Sequence, residues 1–216
     1  MRIHPHGKLI AITGPMFSGK TSRLIELLER ERYAGNKIEL FKPLIDDRYS
    51  KTEAVTHKGE KLPAVTVTTD MLGVEEIRRA AKNVDVLGVD EAQFWGQDSL
   101  LPKALDELAS LNKIVYVSIL NKDHTGEPFN NTLDILSRAD IIYSLTAICK
   151  KCGEEATFTQ RVRDGKEIFG PQVQVGGVES YEPRCRRCFV WPPAAMSHSM
   201  MHQKADVYSG ERATEQ

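Results

Sequence analysis

The chain has 216 residues, enough for one large domain or one domain with a small appendage, but short for two enzymatic domains. Its 41% hydrophobic, 7% aromatic and 27% charged composition excludes wholesale disorder and fibrous classes. Twenty-nine basic against 30 acidic side chains leave a net charge of −1, so no overall field would hold a nucleic-acid backbone.

No run approaches the about 18 apolar residues of a membrane span. The first eight residues carry Arg2, His4, His6 and Lys8 rather than an apolar leader core. The expectation is a cytoplasmic chain with no membrane partner. In that setting the four cysteines read as thiolates for metal or chemistry rather than as disulfides.

In chain order, residues 9–13 read as a strand and 21–33 as a helix, with Leu24, Ile25 and Leu28 on one side and Glu26, Glu29 and Arg30 around the other. Gly35 stands at that helix's left-handed close. A strand follows at 37–41. The polar stretch 42–63, with Pro43, Gly59 and Pro63, reads as a functional flap or a floppy connector. Beyond it come a helix at 74–82, a buried strand at 84–89, a helix at 100–111, a strand at 114–120, a helix at 132–138 and a strand at 141–148. This alternation predicts an α/β fold: an open, mostly parallel sheet of five or six strands, of the phosphate-loop type.

After residue 148 the alternation stops. Short strand-like pieces such as 156–162 surround the turn Asp164-Gly165. The predicted division is a nucleotide-binding domain at 1–148, a small zinc subdomain at 149–191 and a poorly ordered tail at 192–216.

Gly14-Pro15-Met16-Phe17-Ser18-Gly19-Lys20-Thr21 fits the phosphate-loop pattern and stands between a predicted strand and helix, the context that the motif requires. Backbone N–H groups close around phosphate oxygens, Lys20 reaches the terminal phosphates, and the Thr21 hydroxyl ligates Mg²⁺. The strand at 84–89 runs into Asp90-Glu91. Beside a phosphate loop, Asp90 holds Mg²⁺ through its water shell and Glu91 becomes the general-base candidate.

Cys149-Lys-Lys-Cys152 and Cys185-Arg-Arg-Cys188 are two knuckles with 32 residues between them. Such pairs present four thiolates to one tetrahedral Zn²⁺, which leaves no open position and makes the ion structural. The neighbouring Lys150, Lys151, Arg184, Arg186 and Arg187 read mainly as compensation for the −2 charge of a four-thiolate site, with nucleic-acid contact as the lesser alternative. His57 and His124 fall in loops and read as solvated.

Together these residues resemble the thymidine kinase family of the zinc-containing, phosphate-loop type. The likeness rests on the loop at 14–21, on Asp90-Glu91-Ala92-Gln93-Phe94, on Asp46-Asp47-Arg48-Tyr49-Ser50 and on the two knuckles. Gly126-Glu127-Pro128-Phe129, Thr159-Gln160-Arg161 and Val175-Gly176-Gly177 followed by Tyr181 add to it, so that the resemblance covers most of residues 8–190. It implies ATP-dependent phosphorylation of the thymidine 5′-hydroxyl, with ATP, Mg²⁺ and structural Zn²⁺ as cofactors and a homotetramer as the assembly.

By the same resemblance Glu91, Lys20 and Arg48 carry the chemistry, and residues 14–21 with Asp90, Glu91, Ala92 and Gln93 hold ATP. Met16, Phe94, Leu120, His124, Phe129 and Thr159 line the base pocket. The segment between the knuckles resembles a lasso closing over the nucleoside, bringing Gln172, Val173, Gln174, Val175 and Gly176 to the base and Tyr181 to the sugar. One departure stands out: Asp123-His124 occupies a position where family members commonly carry an aromatic after the acid, and Ser118-Ile119-Leu120-Asn121 before it is atypical. A kinase of another deoxynucleoside, a phosphate-loop ATPase whose zinc module binds nucleic acid, and a nucleotide-binding regulator without catalysis are the competing readings. The near-zero charge and the missing aromatic and basic stripe argue against nucleic acid as a partner.

Overall fold

The computed structural model describes residues 6–44, 53–55, 61–170, 172 and 180–193. The elements run β1 (Lys8–Gly14), α1 (Lys20–Tyr33), β2 (Ile38–Pro43), β3 (Glu53–Val55), β4 (Lys61–Pro63), β5 (Val65–Val67), α2 (Met71–Ala80) and β6 (Val86–Val89). Two single 3₁₀ turns, Ala92–Phe94 and Gln97–Ser99, lead into α3 (Leu101–Ser110), β7 (Ile114–Leu120), α4 (Thr132–Arg138) and β8 (Ile141–Ser144). The remainder is β9 (Ala147–Ile148), β10 (Glu155–Ala156), β11 (Phe158–Arg163), β12 (Lys166–Glu167) and β13 (Ser180–Arg184).

Six strands form one sheet in the order β5-β2-β6-β7-β1-β8, and every pairing in it is parallel. Parallel strands need crossovers, and the helices supplying them bury both faces, so the strands are apolar on both sides. In β1, Leu9 and Ala11 enter the core shared with α2, α3 and α4, whereas Ile10 and Ile12 enter the core shared with α1. Val115, Val117 and Ile119 of β7 face the first core, and Ile114 and Tyr116 face the second. The result is a three-layer α/β sandwich of the phosphate-loop type, as the alternation predicts.

Helix α1 buries Leu24, Ile25, Leu27 and Leu28 against the sheet, and it can come close because β6 carries Gly88 beneath it. A Cβ at Gly88 would lie 2.6 and 3.4 Å from the two branches of Leu28 and 2.9 Å from Leu40 Cδ1. Helix α2 starts at Asp70, whose carboxylate accepts N–H bonds from Leu72 (3.0 Å) and Gly73 (3.2 Å). That is an Asp N-cap satisfying two of the helix's orphan donors.

The expected single strand at 141–148 is two. Ile141–Ser144 continues the main sheet beside β1, while Ala147–Ile148 turns away and pairs antiparallel with β10. The break falls where the Leu145 N–H is taken by the Thr13 carbonyl at 2.8 Å. β11 runs antiparallel to both β12 and β13, and the Asp164-Gly165 turn has positive φ at both residues (49° and 73°). The flap region contains a short antiparallel pair, β3 with β4. Arg48, His57, Val173, Gln174, Val175, Gly176 and the tail from residue 194 lie outside the described residues. Among the described residues no helix is long and apolar enough to cross a membrane.

Candidate active site

The carboxyl ends of β1, β6 and β7 meet at one edge of the sheet, where loops from a parallel sheet converge on a crevice. Register sets which residues meet there: Gly14 pairs with Leu120, and Val89 pairs with Val117, which puts Asp90 next to Ser118. The loop after β1 folds on itself. Pro15's carbonyl accepts hydrogen bonds from Lys20 Nζ and Ser18 Oγ, each at 2.8 Å, and Phe17 and Gly19 take positive φ of 65° and 82°. Lys20 is 7% exposed, and α1 begins without a side-chain cap, so its first N–H groups face the loop's hollow. Such an end attracts an anion through both N–H donors and dipole.

Asp90 is buried at the end of β6. Its carboxylate accepts the Thr21 hydroxyl (3.1 and 3.3 Å) and the Ser118 hydroxyl. The same Ser118 oxygen accepts the Glu91 N–H at 3.2 Å. Thr21 and Asp90, the two residues expected to share Mg²⁺, are therefore already in contact. Their oxygens are hard donors of the kind that ion takes. Glu91 has φ 54°, a left-handed backbone that is uncommon for a side chain of its size, and it is half-buried.

Gln93 is fully buried and bridges two parts of the site. Its amide N donates to the Glu91 carboxylate, and its amide O accepts the Leu120 N–H at 3.1 Å. Because the amide oxygen is occupied by a donor, the NH₂ end must face the carboxylate. Sequence reasoning assigns Gln93 to ATP and misses this bridge. Neither Gln93 nor Ser118 shows its role in any motif, since both act through strand register and the turn at Ala92–Phe94.

The expected base-pocket residues are brought together in two groups. Thr159 of β11 reaches across to the phosphate loop, its hydroxyl accepting the Met16 N–H at 3.0 Å. Phe94 and Phe129 meet edge to face with ring centres 6.3 Å apart. Leu120 is tied to Gln93 through its N–H and to the Thr132 hydroxyl through its carbonyl at 2.7 Å.

His124 is not solvated. It is 2% exposed, because Asp123 folds residues 123–127 into a compact turn. Asp123 Oδ1 accepts the Thr125 N–H (2.8 Å), the Thr125 hydroxyl (2.6 Å) and the Glu127 N–H (3.2 Å), and Asp123 N–H donates to the Glu127 carbonyl (2.8 Å). From this turn a chain of contacts leads to the segment between the knuckles. Gln172 Nε2 donates to Asp123 Oδ2 at 3.0 Å, Arg161 Nη2 donates to the Gln172 carbonyl at 3.1 Å, and Arg161 Nε donates to Tyr181 Oη at 3.1 Å. Arg161 is fully buried, and its cost of burial is met by hydrogen bonds and the Tyr181 ring at 5.5 Å.

The four thiols lie within 4.8 Å of one another and could hold a metal ion. Each knuckle is a tight turn: Gly153 N–H donates to the Cys149 carbonyl (2.9 Å), and Cys188 and Phe189 N–H groups donate to the Cys185 carbonyl (3.0 and 2.9 Å). Burial raises the Cys149 thiol, but N–H groups of Cys185, Lys151 and Cys152 outweigh it and bring it down to about 6. Cys188, hydrogen-bonded to the Cys152 and Cys185 thiols, is pushed up to about 12. Four thiols this close do not all ionise without a cation among them, so the donor set fits a soft, thiophilic metal.

The basic residues divide. Arg187 faces the Cys152 and Cys188 sulfurs, as charge compensation requires. Lys151 pairs with Glu167 (2.7 Å) and Arg184 with Glu182, while Arg186 lies over the Phe158 ring at 5.0 Å.

A strand-loop-helix with a buried lysine, an acid at the neighbouring strand end in contact with the loop's threonine, and a parallel sheet behind them define a phosphate-loop, nucleotide-binding protein. A family model described as thymidine kinase matches residues 7–189. The chain is 46% identical over 194 residues to the thymidine kinase of Thermococcus kodakarensis, covering 88% of this chain and 98% of that protein. It is 44% identical over 187 residues to the thymidine kinase of Pyrobaculum aerophilum (86% and 100%) and 42% identical over 182 residues to that of Mesoplasma florum (82% and 89%). The chain belongs to the thymidine kinase family.

Proposed function

We propose that the chain transfers the terminal phosphoryl group of ATP to the 5′-hydroxyl of thymidine, giving dTMP and ADP. The observation that supports this most directly is the placement of Asp90 and Glu91. One acid contacts Thr21 of the phosphate loop, and the next residue holds a carboxylate on the side tied, through Gln93, to Leu120 and the pocket residues. Phosphoryl transfer asks a protein for positioning and charge neutralisation rather than covalent chemistry. Lys20 and the N–H groups of residues 14–21, with Asp90, Glu91, Ala92 and Gln93 beside them, form the ATP side. Thr21 and Asp90 would hold Mg²⁺, which when bound neutralises the charge on the phosphates.

Glu91 accepts the proton of the 5′-hydroxyl as the new P–O bond forms and the bond to the β-phosphate oxygen breaks. Its Gln93 partner keeps the carboxylate aimed. Arg48 adds positive charge near the transferred group by the family resemblance. Met16, Phe94, Leu120, His124, Phe129 and Thr159 surround the base, and residues 172–176 with Tyr181 close over base and sugar, excluding water that would otherwise hydrolyse ATP. A backbone edge that donates and accepts in thymine's pattern rejects cytosine, because each mismatched buried group costs about 1–3 kcal/mol. The four cysteines would hold Zn²⁺ as a structural ion that anchors both ends of the 153–184 segment. The assembly is a homotetramer in the cytoplasm, and residues 1–148 and 149–191 are its two working parts.

One assay tests this reading: purified chain, ATP and Mg²⁺ with each natural nucleoside in turn, following dTMP and ADP in equal amounts. Thymidine and deoxyuridine should be phosphorylated. A higher kcat/KM for deoxycytidine or a purine nucleoside overturns the substrate assignment, and DNA-stimulated ATP hydrolysis without nucleoside turnover overturns the kinase assignment. Light scattering should give four chains per particle.

A further inference from the structure

The segment after the second knuckle does not run free of the site. Phe158, Phe189 and Trp191 form a three-ring cluster: Phe158 and Phe189 stack with centres 4.6 Å apart, and Trp191 meets each edge to face at 5.6 and 5.1 Å. Val190 N–H donates to the buried Gln160 side chain at 2.8 Å, fixing the chain between the two outer rings. Lys122 Nζ and the Arg186 guanidinium flank Phe158 at 4.7 and 5.0 Å. Trp191 is half exposed, so burying its own surface does not explain where it sits. What it covers is Gly126, the tip of the 123–127 turn. A Cβ at Gly126 would fall 2.9 Å from Trp191 Cζ3 and 3.4 Å from Phe189 Cε1, so the rings press on bare backbone there.

That turn is the one that carries Asp123 and His124. Gly126 N–H closes it on the Asp123 carbonyl at 3.2 Å, and Asp123 Oδ2 holds the Gln172 amide at 3.0 Å. Trp191 therefore stands two contacts from Gln172: ring on Gly126, then turn to Asp123 and its amide partner. The family match ends at residue 189, two residues before Trp191.

We propose that Trp191 is a positioning residue for the nucleoside: it clamps the 123–127 turn from outside, and thereby sets the contact of Asp123 with Gln172, a residue assigned to the base side of the site. This rests on the kinase reading above. An indole over a glycine is a rigid clamp, since a large flat ring loses few rotamers on packing. The contact it makes is with the 123–127 turn, so its effect is expected on the nucleoside side.

The test uses full-length W191A and W191F. W191A should raise the KM for thymidine by about tenfold while kcat and the KM for ATP stay within about twofold, and W191F should return the thymidine KM to within about threefold of wild type. Independently of any substrate, amide hydrogen exchange at Gly126 and Glu127 should quicken by about tenfold or more in W191A, with Val117 and Ile119 of β7 unchanged. Unchanged exchange in the turn overturns the proposal whatever the enzyme phosphorylates. A loss shared equally by ATP and thymidine, or by β7 and the turn, also overturns it, because a general stabilising role would produce that. If wild type fails to phosphorylate thymidine, the activity assignment falls and the exchange comparison alone decides the clamp.

Discussion

Gln93→Leu separates the two jobs of the Ala92–Phe94 turn. Leucine keeps the volume and apolar stem but strands the Leu120 N–H and releases the Glu91 carboxylate, the two partners of the Gln93 amide. A buried donor left unmatched costs about 1–3 kcal/mol, and the leucine side chain regains part of that through its own burial. The net loss of about 1–2 kcal/mol lowers the melting temperature of a protein of this size by about 2–8 °C. The larger effect falls on turnover. Glu91 sits on a left-handed backbone, and a carboxylate displaced by about 1 Å costs roughly a hundredfold in rate. Steady-state kinetics on Q93L should therefore show kcat/KM for the nucleoside reduced about a hundredfold while the KM for ATP changes little. A melting temperature lowered as stated with kcat within about threefold of wild type would refute the reasoning, since Gln93 would then serve the fold and leave Glu91's aim alone.

Glu91→Gln keeps size and removes the proposed proton acceptor, so ATP affinity measured by calorimetry should survive while phosphoryl transfer falls by about two to four orders of magnitude. Freshly purified protein should carry one zinc per chain by metal analysis, and Cys152→Ser or Cys185→Ser should lower the melting temperature and the thymidine affinity together. Asp70→Ala removes the α2 cap and should cost about 1 kcal/mol at pH 7 by chemical denaturation. The Thr68 hydroxyl first, and then the Gly73 and Leu72 N–H groups, hold the Asp70 carboxyl below its ordinary value. A depressed carboxylate stabilises the fold above its unfolded pKa of about 4 and loses that contribution as pH falls through the lower folded value, so wild type and D70A should converge in stability below about pH 4.

The loop at 14–21, the acid pair and the two knuckles are legible because each is a local spacing with a chemical reason behind it. Ile114–Leu120 and Thr132–Arg138 are likewise legible from their apolar period, and both form with the expected bounds. What the chain hides is contact made at long range. The run at 141–148 reads as one strand, interrupted in polarity only by Ser144 and Thr146, and nothing in it says that Ala147 leaves β1 for a partner on β10. The polar neighbours of His124 suggest a wet loop, yet Asp123 closes the turn and rings more than 60 residues later cover it. Ser118 reads as an atypical residue in a buried strand. Its hydroxyl bridges Asp90 and the Glu91 N–H only because β6 and β7 pair with Val89 opposite Val117.

The bare Cα at Gly88 fixes a clearance on which both ends of the Thr21–Asp90 contact depend. Helix α1 delivers Thr21 and strand β6 delivers Asp90, and the two oxygens meet at 3.1 Å because nothing projects from β6 under Leu28. Both branches of Leu28 and one of Leu40 would have to give way to a methyl group there, inside a core where neither has solvent to move into. The helix would ride outward as a stiff lever and carry the threonine off its acid. Position 88 is thus where the usual engineer's gain from replacing glycine by alanine in a regular element turns against itself. A stability screen that ignores turnover would find its losses here traced to a gap, and a rescue should come from shortening Leu28 rather than from any change within the loop.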